Sequence, residues 1–153
     1  MSFPIEITDQ PAQPVLSIRT RTPIKSLKTV LGNAYEAIMR YLIELRMEPA
    51  GPPFTAYYNM DMEDLDVEIG FPVPVSLPGK GDIQASEIPE GKAATCLYTG
   101  AYSEIGLAYE ALTAWIGEHG HQPTGVAYEF YLNDPGVTAP QELETQIVFP
   151  LSS

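Results

Sequence analysis

One cysteine, Cys96, is too few for an internal disulfide, and such thiol usage suits a reducing compartment. Positive charge is also scarce. Eight Lys and Arg stand against twenty Asp and Glu, a formal charge of −12 that repels a phosphate backbone, so direct nucleic-acid binding is not expected. The same field concentrates cationic ligands, although solubility alone accounts for it as well. No run approaches the roughly 18 apolar residues of a membrane helix, and the opening MSFPIEITDQPAQP lacks a basic stretch followed by an apolar one. A cytoplasmic protein without a membrane partner is expected. Gly-rich phosphate loops, the dinucleotide fingerprint and the G-x-S-x-G elbow are all missing, so no cofactor is expected.

Metal-ligating patterns are equally thin. The histidines of HGH (119–121) are two where a metal wants three or four ligands, and Gly120 between them reads as a helix stop. DMEDLD (61–66) lacks the glycine and terminal glutamate of a calcium loop and reads as a solvated hairpin. No metal site is expected. Cys96, in ATCLY with no basic neighbour to lower its pKa, reads as a buried, inert thiol.

What the chain does have is a duplication. AYEAI (34–38) returns as AYEAL (108–112), 74 residues on, and the same step carries Tyr57 and Asn59 to Tyr131 and Asn133. A step of 78 joins IGFPV (69–73) to IVFPL (147–151), and Ile5 and Pro11 to Ile83 and Pro89. The four-residue difference is expected in loops. Strands are predicted at 5–10, 14–21, 54–60 and 66–73, then at 83–88, 92–98, 126–132 and 144–150. Between them, Leu27, Val30, Leu31, Ala34, Ile38, Leu42 and Leu45 predict a helix over about 26–47. Ile105, Tyr109, Leu112 and Ile116 predict a second, with Ser103 as N-cap.

At 153 residues and 44% hydrophobic composition this is one cored domain, over 1–153, with internal repeats at about 5–73 and 83–151. PVSLPGKGD (74–82) is too short for a flexible linker. The expected fold is α+β: duplicated strand-helix-strand-strand modules, each with a further leading strand, forming an antiparallel sheet with two helices. A pseudo-twofold axis and a ligand cleft between the halves follow from that symmetry.

AYEFYLND (127–134) carries the residue that breaks the repeat. Strand alternation puts Tyr128, Phe130 and Leu132 on one face and Glu129 and Tyr131 on the other, while the residue matching Glu129 in the first copy is Thr55. A buried lone carboxylate costs about 3 to 5 kcal/mol. Tyrosine hydroxyls, protonation or an incoming cation would each offset that cost, and a solvated face would avoid it. If the site is a ligand cleft, Tyr57, Tyr131, Tyr102 and Trp115 are wall candidates around Glu129. The repeat mates Phe71 and Phe149 are core or cleft-wall residues, Trp115 is equally a core residue, and Gly100 permits an unusual turn before Tyr102.

The ordered set of G-x-Y before the second helix, Trp in that helix, YE-x-Y, and T-x-I-x-F-P at the end resembles the GyrI-like small-molecule-binding domain. That family is also called the bacterial transcription activator effector-binding domain. The resemblance runs over nearly the whole chain and includes YYNMD and LDVEIGFPV in the first half. It implies two strand-helix-strand-strand modules about a pseudo-dyad. It also implies a cleft for small hydrophobic or cationic ligands, anchored in members fused to DNA-binding domains by the glutamate of YE-x-Y, whose place Glu129 takes. Stand-alone members are similar to DNA gyrase inhibitors, and some hydrolyse cyclopropane-bearing alkylating toxins. The resemblance thus leaves open a protein partner, gyrase or a regulator, and a catalytic role for Glu129 and Tyr131. With no helix-turn-helix segment before residue 5, a stand-alone member is expected.

Overall fold

The structure, a computed structural model, describes residues 3–152; the outermost ends of the expected domain lie outside them. The chain folds as β1 (Ile5–Gln10), β2 (Gln13–Thr22), α1 (Leu27–Glu44), β3 (Phe54–Tyr57), β4 (Leu65–Pro72) and β5 (Gln84–Ile88). It continues as β6 (Gly91–Thr99), α2 (Ile105–Glu118), β7 (Gln122–Pro123), β8 (Ala127–Tyr131) and β9 (Glu144–Ser152). Every strand pairing described is antiparallel, so the fold is α+β with two helices, as expected.

Two compact units form, one of Pro11–Glu90, the other of residues 3–10 and 91–152. In the first, the strands run β5-β2-β4-β3; in the second, β1-β6-β9-β8, with the short β7 also on β9. The leading strand of each sequence repeat therefore pairs within the other repeat's sheet: β1 on β6, β5 on β2. Hydrophobic patterning places a strand on a sheet but does not say whose edge it will complete.

Each sheet buries the stripe of its own helix. Ala34, Ile38 and Leu42 of α1 lie against Leu65, Val67, Ile69 and Phe71 of β4 and Leu16 of β2. Their mates at a step of 74, Ala108, Leu112 and Ile116 of α2, lie over Ile147 and Phe149 of β9 and Ala94, Cys96 and Tyr98 of β6. Full burial of each Leu or Ile is worth about 1.5 to 3 kcal/mol, which makes these two stripes the main adhesive of either unit.

The four-residue difference between the registers is not confined to loops. A single turn of 3-10 helix precedes each α-helix, at Ile24–Ser26 and Tyr102–Glu104, a step of 78, whereas the helices end at Glu44 and Glu118, a step of 74. The first offset is thus one extra turn of α1, 18 residues against 14. Four residues are close to the 3.6 of a full turn, so the buried stripe keeps its heading and the insertion is tolerated inside the helix. The second offset does lie in a connection, between β3 and β4 against β8 and β9.

Ser103 is not the N-cap of α2. The chain turns earlier, at the extended Ala101, so Ser103 lies inside the 3-10 turn and Glu104 takes the cap position without a side-chain capping bond. Helix α1 stops at Glu44, short of the expected 47, because Arg46 adopts a left-handed conformation, φ 56°, and Met47 N–H turns back to Leu42 O at 3.0 Å. Gly120, φ 75°, ends α2 in the same manner, with His121 N–H on Ile116 O at 3.0 Å. Strand β3 ends at Tyr57, before the expected 60, where Asn59 folds across the connection to bond Asp64 O and Asp66 N–H.

Candidate functional site

Strand β8 and helix α2 build the candidate site within the second unit. Glu129 pairs Ile147 and Tyr131 pairs Thr145 across the β8–β9 ladder, and directly opposed residues share a face, so all four lie on the side covered by α2. Tyr128 and Phe130 take the other face and stack with centroids 6.3 Å apart.

Glu129 is buried, 8% exposed, and both of its oxygens accept hydrogen bonds from tyrosines. Tyr109 Oη of α2 donates to Oε2 at 2.5 Å, and Tyr131 Oη donates to Oε1 at 2.9 Å. Among the described residues the carboxylate forms no ion pair: those present are Arg19 and Arg21 with Asp66, Arg21 with Asp64, and, one each, Arg40–Glu36, Lys80–Glu44 and Lys92–Asp9. Burial pushes its pKa above the ordinary carboxylate value, against the smaller opposing pull of the two tyrosine hydrogen bonds.

The aromatic surroundings follow from the same two elements. Tyr102, in the turn before α2, meets Tyr131 edge to face at 5.9 Å and remains 38% exposed. Its hydroxyl pKa is raised by burial first, then by the charges of Glu129 and Asp134. Phe149 meets Tyr109 edge to face at 5.5 Å. The chain reaches this turn through Gly100, φ 148°, where a Cβ would come within 2.9 Å of the Tyr98 hydroxyl; glycine is required there.

Glu129, Tyr131, Tyr102 and Phe149, singled out in the sequence, are therefore joined through one tyrosine that was not. Tyr109 is read from the sequence only as part of an apolar stripe, yet it is the repeat mate of Tyr35, and both tyrosines turn a hydroxyl toward the strand. Trp115 is half-buried against the core of the same unit and stacks on His119 at 3.9 Å, whose Nδ1 lies 2.8 Å from the Trp115 carbonyl. Tyr57 and Phe71 belong to the first unit. Phe71 is buried edge to face on Tyr35 at 5.4 Å, and Tyr57 packs beside Ala34, Leu65, Val67 and Ile69.

The first unit holds a buried carboxylate of its own, which the sequence reading does not single out. Glu68 of β4, 7% exposed, accepts from Ser17 Oγ and Tyr58 Oη, both at 2.6 Å. Arg19 lies 3.7 Å over the Tyr58 ring while bonding Asp66 bidentately at 2.7 and 2.8 Å; that bond is the main cause of its raised pKa, and the charge of Glu68 adds a smaller part. Glu68 thus lies near a guanidinium, whereas Glu129 forms no ion pair among the described residues. The DMEDLD segment is largely exposed, and Cys96 is fully buried with its thiol pushed up to about 11. Among the described residues no cluster of three His, Cys, Asp or Glu is placed to hold a metal, and no helix is long and apolar enough to cross a membrane.

A doubled antiparallel α+β fold with a carboxylate sunk among aromatic rings defines a class of small-molecule-binding domains. The chain matches the GyrI-like small molecule binding domain over residues 3–152, and it belongs to that family. No curated protein matches it. Among solved structures, EcmrR in complex with DNA superposes with a TM-score of 0.85 at 23% identity over 99% of this chain, which spans 58% of that one. The isolated EcmrR C-terminal domain gives 0.82 at 21% identity, over 100% and 99% of the two chains. A hydrolase from Listeria innocua gives 0.71 at 16% identity over 97% and 91%. SAV2435 bound to tetraphenylphosphonium gives 0.65 at 9% identity over 100% and 95%. At these identities the likeness is one of fold.

Proposed function

We propose that this domain binds small hydrophobic molecules, cationic or polycyclic, with Glu129 as their anchor and Tyr109, Tyr131, Tyr102 and Phe149 around it. One observation carries this reading: Glu129 is more than nine-tenths buried, and among the described residues its charge is met by a pair of hydroxyls and by no ion pair. Hydrogen bonds to a charged group contribute about 1.5 to 3 kcal/mol each and leave the charge in place. A guest cation removes it, and each aromatic face adds about 0.5 to 2 kcal/mol of cation–π attraction. That a protein of this fold, SAV2435, is bound to tetraphenylphosphonium supports the choice of probe. The single buried thiol and the charge of −12 support a cytoplasmic binder that does not itself grip DNA.

Titration of tetraphenylphosphonium, followed by calorimetry and by Trp115 fluorescence, tests the assignment. Glu129→Gln is expected to weaken binding about a hundredfold, equivalent to roughly 3 kcal/mol. Equal affinity in the two proteins rejects the anchor.

A catalytic reading is favoured by the raised pKa of Glu129, since a carboxyl that holds its proton nearer neutrality suits general-acid work on a strained electrophile. Multiple turnovers of a cyclopropane-bearing alkylator, lost in Glu129→Gln and reduced in Tyr131→Phe, would support it. One-to-one protection without turnover favours sequestration.

A further inference from the structure

A further polar side chain lies on the face of Glu129. Thr145 of β9 is fully buried, and its hydroxyl is the buried side-chain polar atom that no hydrogen bond reaches among the described residues. It is flanked in the ladder by Tyr131 on β8 and Tyr98 on β6, and it lies two residues before Ile147, on the same face. Neither flanking hydroxyl is directed to it. Tyr131 Oη donates to Glu129, and Tyr98 Oη donates to the carbonyl of Ala101.

An unsatisfied buried hydroxyl costs about 1 to 3 kcal/mol, and valine would fill the same volume without that cost. The position is also the diagonal cross-strand neighbour of Glu129, which ordinary sheet geometry sets about 7 to 8 Å away, the span of one substituted aromatic ring. From this juxtaposition we infer that Thr145 is a specificity-determining residue of the site. Its hydroxyl takes a hydrogen bond from, or gives one to, an oxygen substituent of a guest whose cationic group lies on Glu129. The guest class is thereby narrowed to aromatic cations carrying a hydroxyl, ether or carbonyl one ring away from the charge. The inference rests on the binding function proposed above and adds a second point of attachment to it.

A matched pair of probes separates the two: phenyltrimethylammonium and 3-hydroxyphenyltrimethylammonium, of equal charge, titrated by calorimetry into wild type, Thr145→Val and Thr145→Ser. Wild type is expected to prefer the hydroxylated cation by about tenfold, the worth of one good hydrogen bond. Thr145→Ser should keep that preference, and Thr145→Val should abolish it. Equal affinity of wild type for both cations overturns the inference, as does a preference that persists in Thr145→Val. Either result leaves the Glu129 anchor standing. If wild type binds neither cation, the inference falls, while the anchor is still decided by tetraphenylphosphonium in wild type and Glu129→Gln. The wild-type comparison decides the matter even if a variant does not fold.

Discussion

The two copies of the repeat place the same groups around one position and fill that position differently. In the first, Tyr35 of α1 donates to Phe54 O at 2.9 Å, lies 3.1 Å from Thr55 Oγ1, and meets Phe71 edge to face. In the second, Tyr109 of α2 donates to Glu129 and meets Phe149 edge to face. Asn59 and Asn133 brace the following connections identically, each accepting from a strand N–H at 3.0 Å and donating to a carbonyl. With the scaffold duplicated this closely, the exchange of a small neutral hydroxyl for a carboxylate is a local change of chemistry on a common frame. On the binding function proposed above, it puts the ligand anchor in the second copy.

The largest effect should come from forcing the first copy to resemble the second. Thr55 is fully buried, and the Tyr35 hydroxyl beside it is committed to a main-chain carbonyl. Thr55→Glu is therefore expected to cost about 3 to 5 kcal/mol in urea unfolding, the penalty of an uncompensated buried charge. A cost below about 1 kcal/mol would mean that the frame accepts a carboxylate anywhere, and the asymmetry would lose its meaning.

Removing the helix tyrosine from each copy sharpens the comparison at smaller scale. Tyr109→Phe strips a donor from a buried charged acceptor and should cost about 1.5 to 3 kcal/mol, whereas Tyr35→Phe removes neutral contacts, to Phe54 O and Thr55 Oγ1, the donated bond being worth about 0.5 to 1.5 kcal/mol and the longer Thr55 contact less. Chemical denaturation of both variants checks the order. Equal losses would indicate that Glu129 is protonated in the folded chain at the pH of the measurement.

The pH dependence gives that protonation directly. Burial raises the folded pKa of Glu129 above its ordinary 4.5, so the folded chain holds the proton more tightly than the unfolded one. The contribution of this group to stability is complete below about pH 4.5 and is lost as the pH rises through the folded value. Glu129→Gln has no such titration. Its stability relative to wild type should therefore increase with pH across that window and level off above it; a constant difference would show that the carboxyl is not perturbed.

Much of this fold is legible in the sequence because it is written twice: the AYEA match, the Asn59–Asn133 step and the FP-containing strands set every helix and most strand positions. Strand alternation puts Glu129 and Tyr131 on one face but leaves a solvated and a buried carboxylate equally open; the cover of α2 over the β8–β9 ladder decides it. Tyr109 is harder to find. A tyrosine on an apolar helical stripe carries no mark of where its hydroxyl goes, and only the register to the opposing strand reveals it. Glu68 is hidden for a related reason. It stands in LDVEIGFP with Asp66 on the face away from α1, where nothing local distinguishes a solvated glutamate from one bonded by Ser17 of β2 and by Tyr58, just past β3.

The smallest effect concerns the helix ends, where the two copies again share a geometry and differ in one residue. Arg46 and Gly120 both occupy the left-handed position after the helix, and each is followed by an N–H returning to the carbonyl five residues back. A side chain in that conformation brings Cβ against the carbonyl, at about 1 kcal/mol, whereas glycine is unstrained there. Arg46→Gly should thus raise stability by up to about 1 kcal/mol, less whatever glycine gains in the unfolded chain, and Gly120→Ala should lower it by a similar amount. Neither change touches the residues around Glu129, so affinity for tetraphenylphosphonium should stay as in wild type. A loss of binding in Gly120→Ala would mean that the end of α2 sets the reach of Tyr109, and the frame of the second copy would then be part of its chemistry.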